Sequence, residues 1–174
     1  MVTLDEMISN YYQKYHGLPN GKPIIRENIL NDAFSVVVLE TLYKDTNLFQ
    51  NGVDIQTIAR YIVAPPDSGI DIVVEHEDAD ECFYDFIQVK NSILSEVDIK
   101  QCLTYMKRTI DDYLKKPSNV SVNLREILSS TSFDKTYKNN CTYIVVHRGD
   151  LNYFKSQKKN EKVITGKELE ILKE

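Results

Sequence analysis

The sequence predicts an α/β fold, a mixed central sheet flanked by helices, and three observations carry the prediction. Apolar residues recur at helical spacing over 3–15, 26–44 and 95–116. Short runs rich in Ile, Val, Tyr and Phe stand between and after them, at 55–64, 70–75, 83–89 and 141–146. The two kinds of segment alternate along a chain of 174 residues that is 42% hydrophobic, enough to bury one core without disulfide or metal staples. Residues 1–174 therefore read as a single domain.

The first expected helix, 3–15, is followed by a Gly- and Pro-rich connection, HGLPNGKP, at 16–23. In 26–44 the residues Ile29, Leu30, Ala33, Phe34, Val36 to Leu39, Leu42 and Tyr43 nearly encircle a helix, which must then pack on more than one side. Ile58, Arg60 and Ile62 alternate with Ala59, Tyr61 and Val63 as in a strand, and Pro65-Pro66 ends it. Two further strands, 70–75 and 83–89, enclose a charged turn at 77–81. Ser95 is a natural N-cap for a helix that sets Ile99, Leu103, Met106, Ile110 and Leu114 on one face and stops at Pro117.

Residues 118–140 are polar and poorly periodic, a loop with a short helical turn from Leu124 to Leu128. The nearly continuous apolar run at 141–146 suits a central strand covered on both faces. A C-terminal helical extension, 150–174, follows. In it Asp150 caps a short basic helix through Lys159, a strand occupies 162–165, and Thr165 and Glu168 stand at capping-box spacing before a last helix.

Composition excludes several classes. No apolar run approaches the roughly 18 residues of a membrane span, and the start, MVTLDEMISNYY, lacks a basic region followed by an apolar one, so a cytoplasmic protein with no membrane partner is expected. Cys82, Cys102 and Cys141 show no CxxC spacing, and His16, His76 and His147 are scattered, so neither a disulfide framework nor a zinc site is indicated. The net charge of −5 hides an asymmetry: residues 1–90 carry 6 basic and 15 acidic side chains, residues 91–174 carry 15 and 11. A basic second half can face a polyanion, whereas the acidic block between Arg60 and Lys90 reads mainly as a solvated turn.

Asp71, Gln88 and Lys90 interrupt strand-like runs with polar side chains. Side chains alternate faces along a strand, so Asp71 shares its side with Val73 and Glu75, while Gln88 and Lys90 share a side about 7 Å apart. Two adjacent strands can thus present a carboxylate, an amide oxygen and an ammonium to one spot. Burying a lone charge is costly, and a divalent cation or an ammonium beside it compensates the cost. Hard oxygen donors suit Mg²⁺, and the chemistry such a site serves is phosphodiester hydrolysis. Lys90 would orient or deprotonate the attacking water and stabilise the pentavalent state.

With GID at 69–71 on one strand, QVK at 88–90 on the next and a long helix after them, the chain resembles the PD-(D/E)xK nuclease superfamily. The variant it is similar to carries Gln in place of the first acid of the (D/E)xK element, as in Mrr-like restriction enzymes and the N-terminal nuclease domains of abortive-infection proteins. The resemblance implies a restriction endonuclease-like core, α-β-β-β-α-β, over residues 26–147. It further implies that Asp71 binds the metal directly, that Gln88 adds its side-chain carbonyl and that Lys90 is the catalytic lysine.

Many members add a Glu from the first core helix, and Glu40, on the stripe of Ala33, Val36 and Val37, is the candidate here. In close Mrr-like relatives that Glu directly follows a Phe, whereas here Phe34 precedes Ser35. Pro66-Asp67 leaves Asp67 as a rival to Asp71. Asp71 is preferred because a turn Asp after two prolines has an ordinary local job. Gln101 and Tyr105 have the QxxxY spacing of RecB-like members, and Lys107 and Arg108 beside them are candidate nucleic-acid contacts.

Each residue also has a structural reading: Asp71 at a strand end, Gln88 and Lys90 on a wet sheet face, the helix lysines on a solvated side. The joint pattern favours a Mg²⁺-dependent DNA endonuclease of restriction or phage defence, with Mn²⁺ as a substitute ion. A homodimer, or a partner subunit, would supply targeting. The alternatives are a catalytically inactive module on the same fold that binds nucleic acid or a partner protein, and an unrelated domain in which Asp71 and Lys90 pair with each other in the core.

Overall fold

The computed structural model describes residues 1–14, 26–49, 57–58, 60–149 and 158–174. Helices α1, Leu4–Lys14, and α2, Arg26–Tyr43, come first, followed by strands β1, Ile72–Asp78, and β2, Glu81–Lys90. Helices α3, Glu96–Lys115, and α4, Val122–Ser129, lead to strands β3, Cys141–His147, and β4, Glu161–Thr165, and to helix α5, Gly166–Lys173. The strands form one mixed sheet in the order β1-β2-β3-β4, with β1 antiparallel to β2 and the other two pairings parallel.

The sheet divides the apolar residues into two layers by strand parity. Ile72, Val74, Ile87, Ile144 and Val146 face α1, α2 and α5. Val73, Tyr84, Phe86, Tyr143 and Val145 face α3 and α4. Helix α2 buries Ala33, Phe34 and Val36 to Leu39 together, which explains its encircling apolar pattern: α1 and α5 cover the sides the sheet does not reach. Strand β3 is an inner strand with Val145 and Val146 buried on opposite faces, as its continuous apolar run predicts.

Local signals set several boundaries. Ser95 accepts from the Asp98 amide while the Asp98 carboxylate accepts from the Ser95 amide, and Thr165 and Glu168 form the same reciprocal pair at α5. Between β1 and β2 the chain reverses through Ala79 and Asp80, both left-handed at φ 50° and 65°, the geometry of a two-residue hairpin whose twist matches the strands.

The strand predicted at 55–64 is the main departure. Residues 50–56 and 59 lie outside the described residues, Thr57 and Ile58 are helical, and only Ile62 bridges to Ile72. The Arg60 and Tyr61 amides are spent on turn bonds to Thr57 and Ile58 carbonyls, so pairing with β1 begins only at Tyr61 O and Val63 N. Pro65 and Pro66 then have no amide with which to extend it. The expected turn at 124–128 is the two-turn helix α4. The expected connection 16–23 and most of the basic helix 150–159 fall outside the described residues. No helix among the described residues is long and apolar enough to cross a membrane, and all three cysteines are free.

Candidate functional site

A cavity of about 290 Å³ opens where the start of β1, the end of β2, α2 and the segment before β1 converge, and Asp67, Asp71, Gln88, Lys90 and Ser35 line it. Three of these are the residues singled out from strand alternation. The register Ile72↔Ile87, continued one step, sets Asp71 beside Gln88, and the two-residue period returns Lys90 to the same side.

Asp71 is fixed by its position at the end of the ladder. Its amide donates to Ile87 O at 2.8 Å, and its Oδ2 accepts from the Val89 amide at 2.7 Å, replacing the main-chain carbonyl that another strand residue would offer. Burial pushes the Asp71 carboxyl well above the usual carboxylate range, and the charge and hydrogen bond of neighbouring Asp67 push the same way; the Val89 amide and the Lys90 charge act against them.

Gln88 supplies the decisive detail. It is buried, and its Oε1 has no hydrogen-bond partner among the described residues. An unmet buried acceptor costs about 1–3 kcal/mol, and this oxygen shares its cavity with two carboxylates, so its acceptor capacity is open to a donor or a cation. Two carboxylates and an amide oxygen are hard donors, and they fit Mg²⁺ or Mn²⁺ better than softer ions. Among the described residues no group of three or more His, Cys, Asp or Glu side chains could hold a metal; at this cavity a third oxygen would have to come from the amide. Asp71 and Lys90 form no ion pair with each other, unlike the closed network of an ordinary core.

Other expected residues lie elsewhere. Glu40 does not line the cavity; its carboxylate lies 3.7 Å from Lys173 Nζ of α5. Helix α2 reaches the cavity instead at Ser35, the residue after Phe34, five residues and about 7.5 Å earlier along the axis. On α3, Gln101, Tyr105 and Arg108 fall on one face. Arg108 sits over the Tyr105 ring at 5.4 Å, and that ring covers Gly69, where a Cβ would collide with it. Lys107 is two residues, roughly 200°, further round the helix. It pairs with Glu161 of β4 and lies 5.7 Å from the Tyr143 ring centroid, so it is not aligned with the other three.

The sequence does not bring out the full roles of two residues. Asp67, the rival to Asp71, fills the turn role, accepting from the Gly69 amide at 2.8 Å, and its carboxyl also meets Asp71, so the two are neighbours rather than alternatives. His147 is buried at the end of β3 opposite Lys90, and its Nδ1 accepts from the Leu94 and Gly149 amides at 3.2 Å each. It thereby pins the chain just after Asn91 and Ser92, which complete the cavity wall.

A second cavity, about 770 Å³, lies at the other end of the sheet beside Asp85, His76 and Glu75. Two of its carboxylates are already engaged: Asp85 accepts from Tyr43 OH at 2.5 Å, and Glu75 accepts from Tyr84 OH at 2.7 Å and the Ser132 amide at 2.8 Å. The smaller cavity is the candidate because it brings an unpartnered amide oxygen together with two carboxylates and an ammonium, whereas the open atom of the larger one, His76 Nε2, already lies 3.2 Å from Asp85 Oδ2. No family model, characterised protein or solved structure matches the chain.

Proposed function

We propose that the chain is a divalent-cation-dependent nuclease that hydrolyses DNA phosphodiester bonds, with Mg²⁺ as the working ion and Mn²⁺ able to replace it. The observation that supports this most is the bare Gln88 Oε1 in one cavity with Asp67, Asp71 and Lys90. Asp67, Asp71 and Gln88 hold the cation, which when bound supplies Lewis acidity toward water and phosphate. Lys90 carries its ammonium on the same sheet side, where it donates to a phosphate oxygen and offsets the charge gathered in the transition state. Tyr105, whose ring covers Gly69, and Arg108 over that ring serve as contacts for the nucleic-acid strand. The order α2, Ile62 bridge, β1, β2, α3, β3 is that of the restriction endonuclease-like core the motifs resemble, with the bridge in place of a full first strand. That resemblance suggests a role in restriction or phage defence, inside the cytoplasm, with a second copy or a partner subunit supplying targeting.

Cleavage of DNA that requires Mg²⁺ or Mn²⁺, stops with chelator and is lost in both Asp71→Asn and Lys90→Met is the expected result. Undiminished cleavage by both variants overturns the assignment. Ser35 favours a second reading, a non-catalytic module of the same fold that binds nucleic acid or a partner protein, because α2 offers the cavity a hydroxyl where a further carboxylate would strengthen it. A rise in melting temperature with millimolar Mn²⁺ supports the first reading, and DNA binding without any such rise supports the second.

A further inference from the structure

Asp67 and Asp71 line one cavity from two different kinds of backbone. Each side chain is placed only as well as the backbone beneath it. Asp71 is tied into the sheet, but Asp67 sits on the irregular segment 64–70, which contains Pro65 and Pro66. With two amides missing, this segment can be anchored mainly through its carbonyls, and it needs donors brought from outside.

Those donors come from two helices that do not line the cavity. Asn123 Nδ2 of α4 donates to both Ala64 O and Pro65 O at 3.0 Å. Thr109 Oγ1 of α3 donates to Ser68 O at 2.9 Å, and the Ser121 amide at the start of α4 donates to Ser68 Oγ at 3.0 Å. Ser68 and Gly69 are left-handed at φ 56° and 83°, so the turn is not one the chain adopts unaided at a non-glycine position. Thr109 is 4% exposed and Asn123 9%, each on a helix face otherwise given to Ile99, Leu103, Met106, Ile110, Leu124 and Leu128. Polar side chains on such faces cost stability unless bonded, and here the bonds run to the segment that carries Asp67.

We infer that Thr109 and Asn123 are positioning residues for the cation site, setting the Asp67 carboxyl against Asp71 through the backbone of 64–70. This rests on the metal-site reading above. Helix α4, in sequence a minor turn within a polar loop, becomes the buttress of the site.

Thr109→Val and Asn123→Leu remove the donors at nearly constant volume, while Thr109→Ser keeps the hydroxyl. Mn²⁺ affinity, measured by the electron paramagnetic resonance of the free ion, is expected to weaken by about tenfold or more in the Val and Leu variants, as for outer residues that orient metal ligands. It returns to within about threefold of wild type in Thr109→Ser. Wild-type affinity in both Thr109→Val and Asn123→Leu, or equal loss in Thr109→Ser and Thr109→Val, overturns the inference. If the unsubstituted protein binds no Mn²⁺, the metal-site reading falls, and exchange of the Gly69 and Ile70 amides decides the inference by itself. Faster exchange in Thr109→Val than in Thr109→Ser supports positioning, and equal rates refute it.

Discussion

Asp71 uses its carboxylate twice: one oxygen completes the β2 ladder at Val89 and the group as a whole confronts Asp67. Asparagine keeps an acceptor for the Val89 amide and adds a donor toward Asp67, so Asp71→Asn is expected to stabilise the metal-free protein at neutral pH. Because burial and Asp67 raise the folded-state pKa above the unfolded one, the wild-type residue favours folding most when protonated and loses that advantage as pH rises through the folded value. The gain in Asp71→Asn, roughly 2–4 °C in melting temperature for about 1 kcal/mol at this chain length, should therefore be present at pH 7 and shrink as pH falls toward the ordinary carboxylate range. Calorimetry at several pH values checks it, and a variant that melts lower at every pH refutes it. Asp71, Gln88 and Lys90 were legible in the sequence because a two-residue period is a statement about faces. Asp67 was not, since its meeting with Asp71 depends on how an irregular segment folds back. Glu40 misled because a helix buried on every side does not announce which of its turns meets the sheet end and which meets α5.

Elements bounded by chemistry of their own were the easiest to read. The Ser95 and Thr165 capping boxes fixed the starts of α3 and α5 without reference to tertiary contacts. Ser95→Ala is expected to cost about 1 kcal/mol, measured by urea denaturation, with an unchanged slope if only the cap is lost. The strand at 55–64 was misread because its alternation is real but its amides at 60 and 61 close a turn, a choice that side-chain period does not report. His147 belongs to the same scale, since it ties the end of β3 to the chain leaving β2. Burial lowers its pKa, with Glu168 acting weakly the other way, so its contribution to folding is intact above the ordinary histidine range and fades as pH falls through the depressed folded value. Protonation would also turn Nδ1 from acceptor to donor and break both amide bonds. Protection of the Leu94 and Gly149 amides, taken relative to the intrinsic exchange rate at each pH, should fall on acidification in wild type. In His147→Asn, whose side chain keeps an acceptor, that protection should stay flat with pH; an acid loss of protection that persists in the variant refutes the role.

One sheet serves two apolar layers, and every inner strand contributes to both, so neither layer can be lost while the other stays packed. A single cooperative transition is expected, with near-ultraviolet and far-ultraviolet dichroism melting together. The amides of Ile87 and Val145, on the two inner strands, should be among the slowest to exchange. Separate melts for the two signals would show layers that fold independently. Fold class was readable at this scale because period, length and punctuation agree along most of the chain, and the parallel pairing of β2 and β3 follows from the long helical crossover between them. The hairpin at Ala79 and Asp80 closes the opposite end of β1 from Asp71, about 23 Å away at the usual strand rise. That tip is therefore the place to graft a fluorophore, an affinity tag or a tether to a surface, since cargo carried there hangs clear of the cavity at Asp71 while the ribbon beneath it reports on the whole domain.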